Sequence, residues 1–199
     1  MVKTIGLAGG SGSGKSAAAQ ILHEMGAEIL DADALILAMQ APGEAGYRVI
    51  EESFGPAYFL PDGQIDRKML GELIFSNEAQ RQRLNGLLWP LVLERVQEKM
   101  MHAKGVLVMD APLLFESGMD ALCEEIWLVD APEALRLKRI MQRDGLDEAA
   151  ARARMQAQGK EAAHYNKADR IIDGALPLTA MKEQLREAFE DFCPGGGTV

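Results

Sequence analysis

The chain has 199 residues, 48% of them hydrophobic and 6% aromatic, a size and composition that suit one compact domain with an insertion or a large and a small lobe. Its formal net charge of −9 argues against broad binding to nucleic acid or to an anionic membrane, so any polyphosphate must be met by locally clustered cations. No apolar run is long enough to span a bilayer. The N-terminus does not read as a signal peptide. Cys123 and Cys193 lack metal-ligand spacing and read as inert thiols of a cytoplasmic protein.

In chain order, Lys3 to Leu7 (KTIGL) reads as a short buried strand, followed by a glycine-rich turn and a helix over Ser16 to Met25. Ala27 to Leu30 is a second strand, ending at "DAD". From Pro42 to about Met101 the pattern is helical, with "LPDGQ" as a turn and a break expected at Pro90. "GVLVMDAP" and "EEIWLVDAP" are two further strands, each ended by Asp-Ala-Pro. "PEALRLKRIMQRD" is a helix entered through Pro132. A charged helical stretch runs through Arg154, "DRIID" is a last strand, and a closing helix starts near Leu178. The "PGGGTV" tail is expected to be disordered. Strands alternating with helices imply an α/β fold, a parallel five-stranded sheet covered on both faces. The expected division is a nucleotide-binding core of residues 1–40 and 102–199, with a lid at about 139–160, and an inserted helical lobe of residues 41–101.

Gly9 to Ser16 reads GGSGSGKS, matching G-x-x-x-x-G-K-[ST] between a strand and a helix. Glycine lets phosphate oxygens approach the backbone, and the amides of Gly12, Ser13, Gly14, Lys15, Ser16 and Ala17 with the helix start form an anion cradle. Lys15 supplies a point charge near the β- and γ-phosphates, and the Ser16 hydroxyl can ligate Mg²⁺. A flexible Gly/Ser loop is the bland alternative, and the strand-loop-helix context argues against it. No G-x-G-x-x-G can be threaded through these positions, which excludes a dinucleotide fingerprint. The expected ligand is ATP or GTP.

A GTPase is the first rival, because Asn166 to Asp169 reads NKAD. That motif here follows a polar helical stretch rather than a strand, and no Asp in the chain has Gly three residues later, so the γ-phosphate sensor of that class is missing. A kinase has positive support. Asp31 and Asp33 lie at the end of the second strand, where a carboxylate could orient an acceptor hydroxyl and take its proton, although either could instead cap the following helix. Asp110 ends an apolar strand and could hold Mg²⁺ directly or through water, or could simply begin a turn before Pro112. Arg136, Arg139 and Arg143 fall at i, i+3 and i+7 on one helix face, with Arg152 and Arg154 beyond. Against a net charge of −9, that cluster suits a lid over transferring phosphate better than a solvated face.

Taken in order, "GLAGGSGSGKS", "DAD", "PGEAGYRVIEESFG", "DGQIDRKMLGELIF", "VLVMDAPLLFESG", "LKRIMQRDGLDEAAARARMQAQ" and "ADRIID" resemble the dephospho-CoA kinases over nearly the whole chain. The resemblance implies transfer of the ATP γ-phosphate to the ribose 3′-hydroxyl of dephospho-CoA, with Asp33 as base. Lys15 and Arg143 would stabilise the transferring group, and Arg139, Arg143 and Arg154 would contact ATP. Arg67, Trp89 and Leu113 would meet the acceptor, while Ser16 and Asp110 would hold Mg²⁺. No nucleic acid or membrane is implied as a partner. The chain departs from the family pattern at Leu37, where arginine is usual, at Trp89, where histidine is usual, at Ala17 (threonine) and at Gly174 (asparagine). Trp89 either stacks on a base or packs between helices. The alternatives are another small-molecule or nucleoside kinase, or a nucleotide-binding regulator that lacks an acceptor site.

Overall fold

The computed structural model describes residues 2–157 and 164–193. Part of the expected lid and the tail expected to be disordered lie outside those residues. Five strands form one parallel sheet: β1 (Lys3–Ala8), β2 (Glu28–Asp31), β3 (Val106–Asp110), β4 (Glu125–Asp130) and β5 (Arg170–Asp173), in the order β2-β3-β1-β4-β5. Leu7 lies opposite Asp110 on one side of β1, and Ala8 lies opposite Leu128 on the other. After β1 the chain winds outward on the β3 side, then returns across β1 to β4. The carboxyl end of β1 is therefore the point where the winding reverses, which is where open α/β sheets bind ligands.

The strands read as continuous apolar runs because both faces are covered. Ile5, Leu7, Leu107, Val108, Met109, Trp127 and Val129 are all inaccessible to solvent. On one face, helix α1 (Lys15–Glu24) contributes Ala18 and Leu22. The closing helix, α8 (Leu178–Phe192), contributes Met181, Leu185 and Phe192 to the same cluster. Helices α6 (Glu133–Asp144) and α7 (Glu148–Ala157) share a smaller cluster of Leu137, Ile140 and Ala151.

The chain divides into two compact units, Met1–Leu30 with Ala103–Val199, and Asp31–His102. The second holds α2 (Ala32–Met39), α3 (Ala45–Phe54), α4 (Arg67–Ser76) and α5 (Glu78–His102), the last three sharing a core of Ile50, Ile65, Leu70, Leu84 and Leu88. The break expected at Pro90 does not occur, and α5 runs through it for 25 residues. Proline removes an amide and crowds the carbonyl four residues earlier. Here that carbonyl belongs to Gly86, and both positions are exposed, so water can take the freed acceptor. The opposite stripe of Leu84, Leu88, Val92 and Val96 is buried and holds the two halves in register.

Candidate active site

The phosphate-loop motif sits where the sheet order places a ligand. β1 ends at Ala8, residues 9–14 turn, and α1 begins at Lys15 with Gly14 as its left-handed N-cap. The Gly14 carbonyl accepts from the amides of Ala17 and Ala18, so Lys15 and Ser16 head the helix with amides that have no intrahelical acceptor. Gly12 has φ 77°, and a β-carbon there would lie 2.6 Å from the Arg136 carbonyl oxygen, so only glycine fits. The Ser13 hydroxyl is fully buried and, among the described residues, has no hydrogen-bond partner. A helix start, a glycine-rich turn and a lysine make a cradle whose chemistry fits a polyphosphate.

Lys15 Nζ donates to Asp110, the last residue of β3. The sequence reading put Asp110 at the end of a strand, and the parallel pairing of β1 with β3 brings it into contact with Lys15. Ser16 is exposed at the head of α1. Its hydroxyl and the Asp110 carboxylate are hard oxygen donors of the kind Mg²⁺ takes, usually completed by water and phosphate. Among the described residues no group of three or more His, Cys, Asp or Glu side chains could hold a metal alone.

The arginines at i, i+3 and i+7 of α6 do share a face, but they differ in depth. Arg136 is 3% exposed, and its Nε donates to the Ser11 carbonyl at 3.0 Å. Arg139 Nη1 donates to the carbonyls of Gly12 at 3.0 Å and Ser13 at 3.3 Å, while Nη2 reaches Gly174 at 2.9 Å. Arg143 lies nearer solvent and pairs with its neighbour Asp144, with Nε at 2.8 Å and Nη2 at 2.9 Å. Arg154 of α7 reaches the same carboxylate at 3.0 Å. The hydrogen bond from Arg143 holds the Asp144 carboxyl below the usual carboxylate range and in turn raises the guanidinium. Leu113 is half exposed in the turn that follows β3.

In the helical unit, α2 answers the question of which aspartate is a cap. Asp31 accepts from the Ala34 amide at 2.9 Å, and Asp33 stands in the first turn. Arg67 opens α4, which Asp66 caps, and its Nη1 donates to Gln40 Oε1 at 2.9 Å. Trp89 is half buried on α5, and Leu37 is exposed on α2.

The NKAD segment has a local role. Asp169 accepts from the Ile126 amide at 2.7 Å, and Lys167 donates to Asp120 at 2.9 Å while lying over the Phe115 ring. Both bonds tie the approach to β5 onto β4 and its preceding turn. Sequence reasoning missed the bonds from Arg136 and Arg139 to the loop, and the close fit of Gly174 against it. The signals were a pair of arginines three residues apart on the helix that follows β4, the strand next to β1, and a glycine at 174 where asparagine is expected.

A P-loop at the reversal of a 2-3-1-4-5 parallel sheet, with a lysine-aspartate pair at its mouth, defines a nucleotide-binding phosphotransferase of the P-loop kinase class. The family described as dephospho-CoA kinase matches residues 3–177. A dephospho-CoA kinase of Moorella thermoacetica is 41% identical over 193 residues, covering 94% of this chain and 91% of its own. Among solved structures, a Thermus thermophilus protein superposes with a TM-score of 0.80 at 28% identity, over 96% of this chain and 97% of that one. A dephospho-CoA kinase from Campylobacter jejuni gives 0.72 at 26%, over 98% and 99%. The chain belongs to the dephospho-CoA kinase family and is an enzyme of that type.

Proposed function

We propose that the chain transfers the γ-phosphoryl group of ATP to the ribose 3′-hydroxyl of dephospho-CoA, giving CoA and ADP, in the cytoplasm and on a small-molecule acceptor. The observation that carries the reading is the braced loop beside the Lys15–Asp110 pair in a chain of this family. Amides at the head of α1 and the Lys15 ammonium stabilise charge on the β- and γ-phosphates where it builds up during transfer. Ser16 and Asp110 are the residues that would hold Mg²⁺, which would supply charge neutralisation at the phosphates. Asp33 orients the 3′-hydroxyl and accepts its proton as the new P–O bond forms. Arg143 and Arg154 exchange Asp144 for phosphate and exclude water from the transfer. Arg67, Trp89 and Leu113 position the acceptor.

ADP release, measured with ATP, Mg²⁺ and either dephospho-CoA or a panel of nucleosides, tests the reading. Stimulation by dephospho-CoA alone is expected, and stimulation by a nucleoside alone, or by neither, rejects it. Asp33→Asn is expected to lower turnover by at least roughly 10² while ATP affinity stays within about twofold. Loss of ATP affinity with turnover retained would make Asp33 a structural residue of α2.

A further inference from the structure

We propose that Arg139, with Arg136 beside it, is a positioning residue that shapes the phosphate loop from behind and is not itself a phosphate ligand. The inference rests on reading that loop as the ATP cradle. Three consecutive loop carbonyls, those of Ser11, Gly12 and Ser13, point at two guanidinium groups of one helix, at 3.0, 3.0 and 3.3 Å. In a planar trans peptide the carbonyl of one residue and the amide of the next point in opposite directions. Holding these three oxygens against α6 therefore turns the amides of Gly12, Ser13 and Gly14 away from it. The Ser13 amide closes the turn onto the Gly10 carbonyl at 3.1 Å, which leaves Gly12 and Gly14 to face outward. A cation on the oxygen side of a peptide also polarises it, so its amide becomes a stronger donor.

The brace extends to a third segment. Arg139 Nη2 donates to the Gly174 carbonyl at 2.9 Å, and the Gly174 amide donates to Asp130 at the end of β4 at 2.6 Å. A β-carbon on Gly174 would fall on the Ser13 carbonyl oxygen and 3.0 Å from that of Asp130. Loop, α6 and the end of β5 thus meet backbone to backbone, with one planar fork spanning all three. Lysine carries the same charge on a single nitrogen and lacks the planar fork, whose two Nη atoms here reach carbonyls of separate segments.

This geometry separates two roles by experiment. A side chain that contacts the transferring phosphate affects turnover and ATP more than ADP, and lysine restores part of the loss. A side chain that shapes the cradle weakens every ligand of the cradle alike, and lysine restores little. Calorimetric titration of the full chain with ADP and with ATP is carried out on the wild type, Arg139→Ala, Arg139→Lys and Gly174→Ala. In parallel, KM and kcat are measured with dephospho-CoA. In both Arg139 variants the dissociation constants for ADP and ATP are expected to rise together, by roughly tenfold to a hundredfold. KM for dephospho-CoA should stay within about twofold. Gly174→Ala, which keeps Arg139 but displaces the Ser13 carbonyl, is expected to show the same paired loss even if Arg139→Ala fails to fold. Unchanged ADP affinity in Arg139→Lys or Gly174→Ala overturns the proposal, as does a fall in kcat alone. A wild type that binds ADP but ignores dephospho-CoA would reject the proposed reaction and leave the comparison of variants intact. A wild type that binds neither nucleotide would reject both.

Discussion

The two compact units hold their candidate site residues in opposite ways. In the sheet unit each site cation has an intramolecular partner: Lys15 has Asp110, Arg136 and Arg139 have loop carbonyls, and Arg143 and Arg154 share Asp144. In the helical unit the residues proposed to meet the acceptor, Arg67 and Trp89, and their neighbour Leu37 stand on more open helix faces, with Arg67 bonded to Gln40, Trp89 half buried and Leu37 exposed. Preorganised donors cost no reorganisation when charge develops, so the sheet unit is built for phosphate chemistry that every ATP-dependent kinase shares. On the proposed reading, recognition of the acceptor falls to side chains with room to change, among them Trp89, and Leu37 lies in the same unit.

The contrast is tested most strongly at Lys15. Lys15→Ala removes the point charge at the loop mouth and leaves Asp110 without it. Turnover is expected to fall by about 10²–10³, with KM for dephospho-CoA within about twofold, in steady-state assays. A loss below about tenfold would mean that the loop amides suffice and that the pairing with Asp110 is structural. Arg67→Ala is the matching cut on the other side. On the proposed assignment of Arg67 to the acceptor, losing one charge-assisted hydrogen bond should raise KM for dephospho-CoA about tenfold and leave KM for ATP unchanged. The reverse pattern would place Arg67 with the nucleotide and erase the division of labour.

The same contrast explains what could be read from the sequence. The parallel sheet, the loop and the strand-end position of Asp110 were legible, because each depends on local pattern: apolar runs, glycines at fixed spacing, an aspartate closing a strand. The pairing of Lys15 with Asp110 was not, because it needs β1 and β3 to lie side by side. The split of the α6 arginines was not. Arg136, Arg139 and Arg143 have the same side chain and share one helical face, and only the packing of α6 against the loop decides which are bonded behind it and which reaches solvent. Gly174 stood out in the sequence only as a departure from asparagine, because a backbone contact with Ser13 leaves no mark on spacing. Pro90 misled for a related reason. A helix breaker is a local signal, and the apolar stripe of α5 together with Gly86 overrides it.

Pro90 therefore gives a stability test confined to the helical unit. Pro90→Ala restores the amide that α5 lacks and relieves the crowding at Gly86, so urea unfolding should show a gain of about 1–2 kcal/mol, less than the full interior penalty of about 3 kcal/mol because the glycine already absorbs part of it. Kinetic constants for ATP should not move. A loss of stability would mean that α5 needs a bend at Pro90.

The smallest effect lies in the sheet unit and tests its close packing without touching the phosphate site. Cys123 sits where the turn before β4 closes over β1, and a β-carbon on Gly6 would come within 2.8 Å of its sulfur. Its Sγ faces the Met119 carbonyl at 3.3 Å and Met109 Sδ at 3.8 Å. Burial pushes the thiol up to about 12, with the Asp120 charge adding to the shift. The unfolded chain ionises this thiol at about 8.5, so below that pH it has no effect on stability. Above it the unfolded state sheds a proton that the folded state keeps, and stability falls as pH rises until the folded thiol also ionises near 12. Between about pH 7 and 9 the loss should be roughly half to 1 kcal/mol, read from urea midpoints as the difference in slope between the wild type and Cys123→Ala. In the native protein at about pH 8 only about one Cys123 in 10⁴ is thiolate, so alkylation should wait for unfolding. Fast labelling of Cys123 in a Cys193→Ser background would show that the turn opens readily over β1, and the sheet unit would then be as adaptable as the helical one.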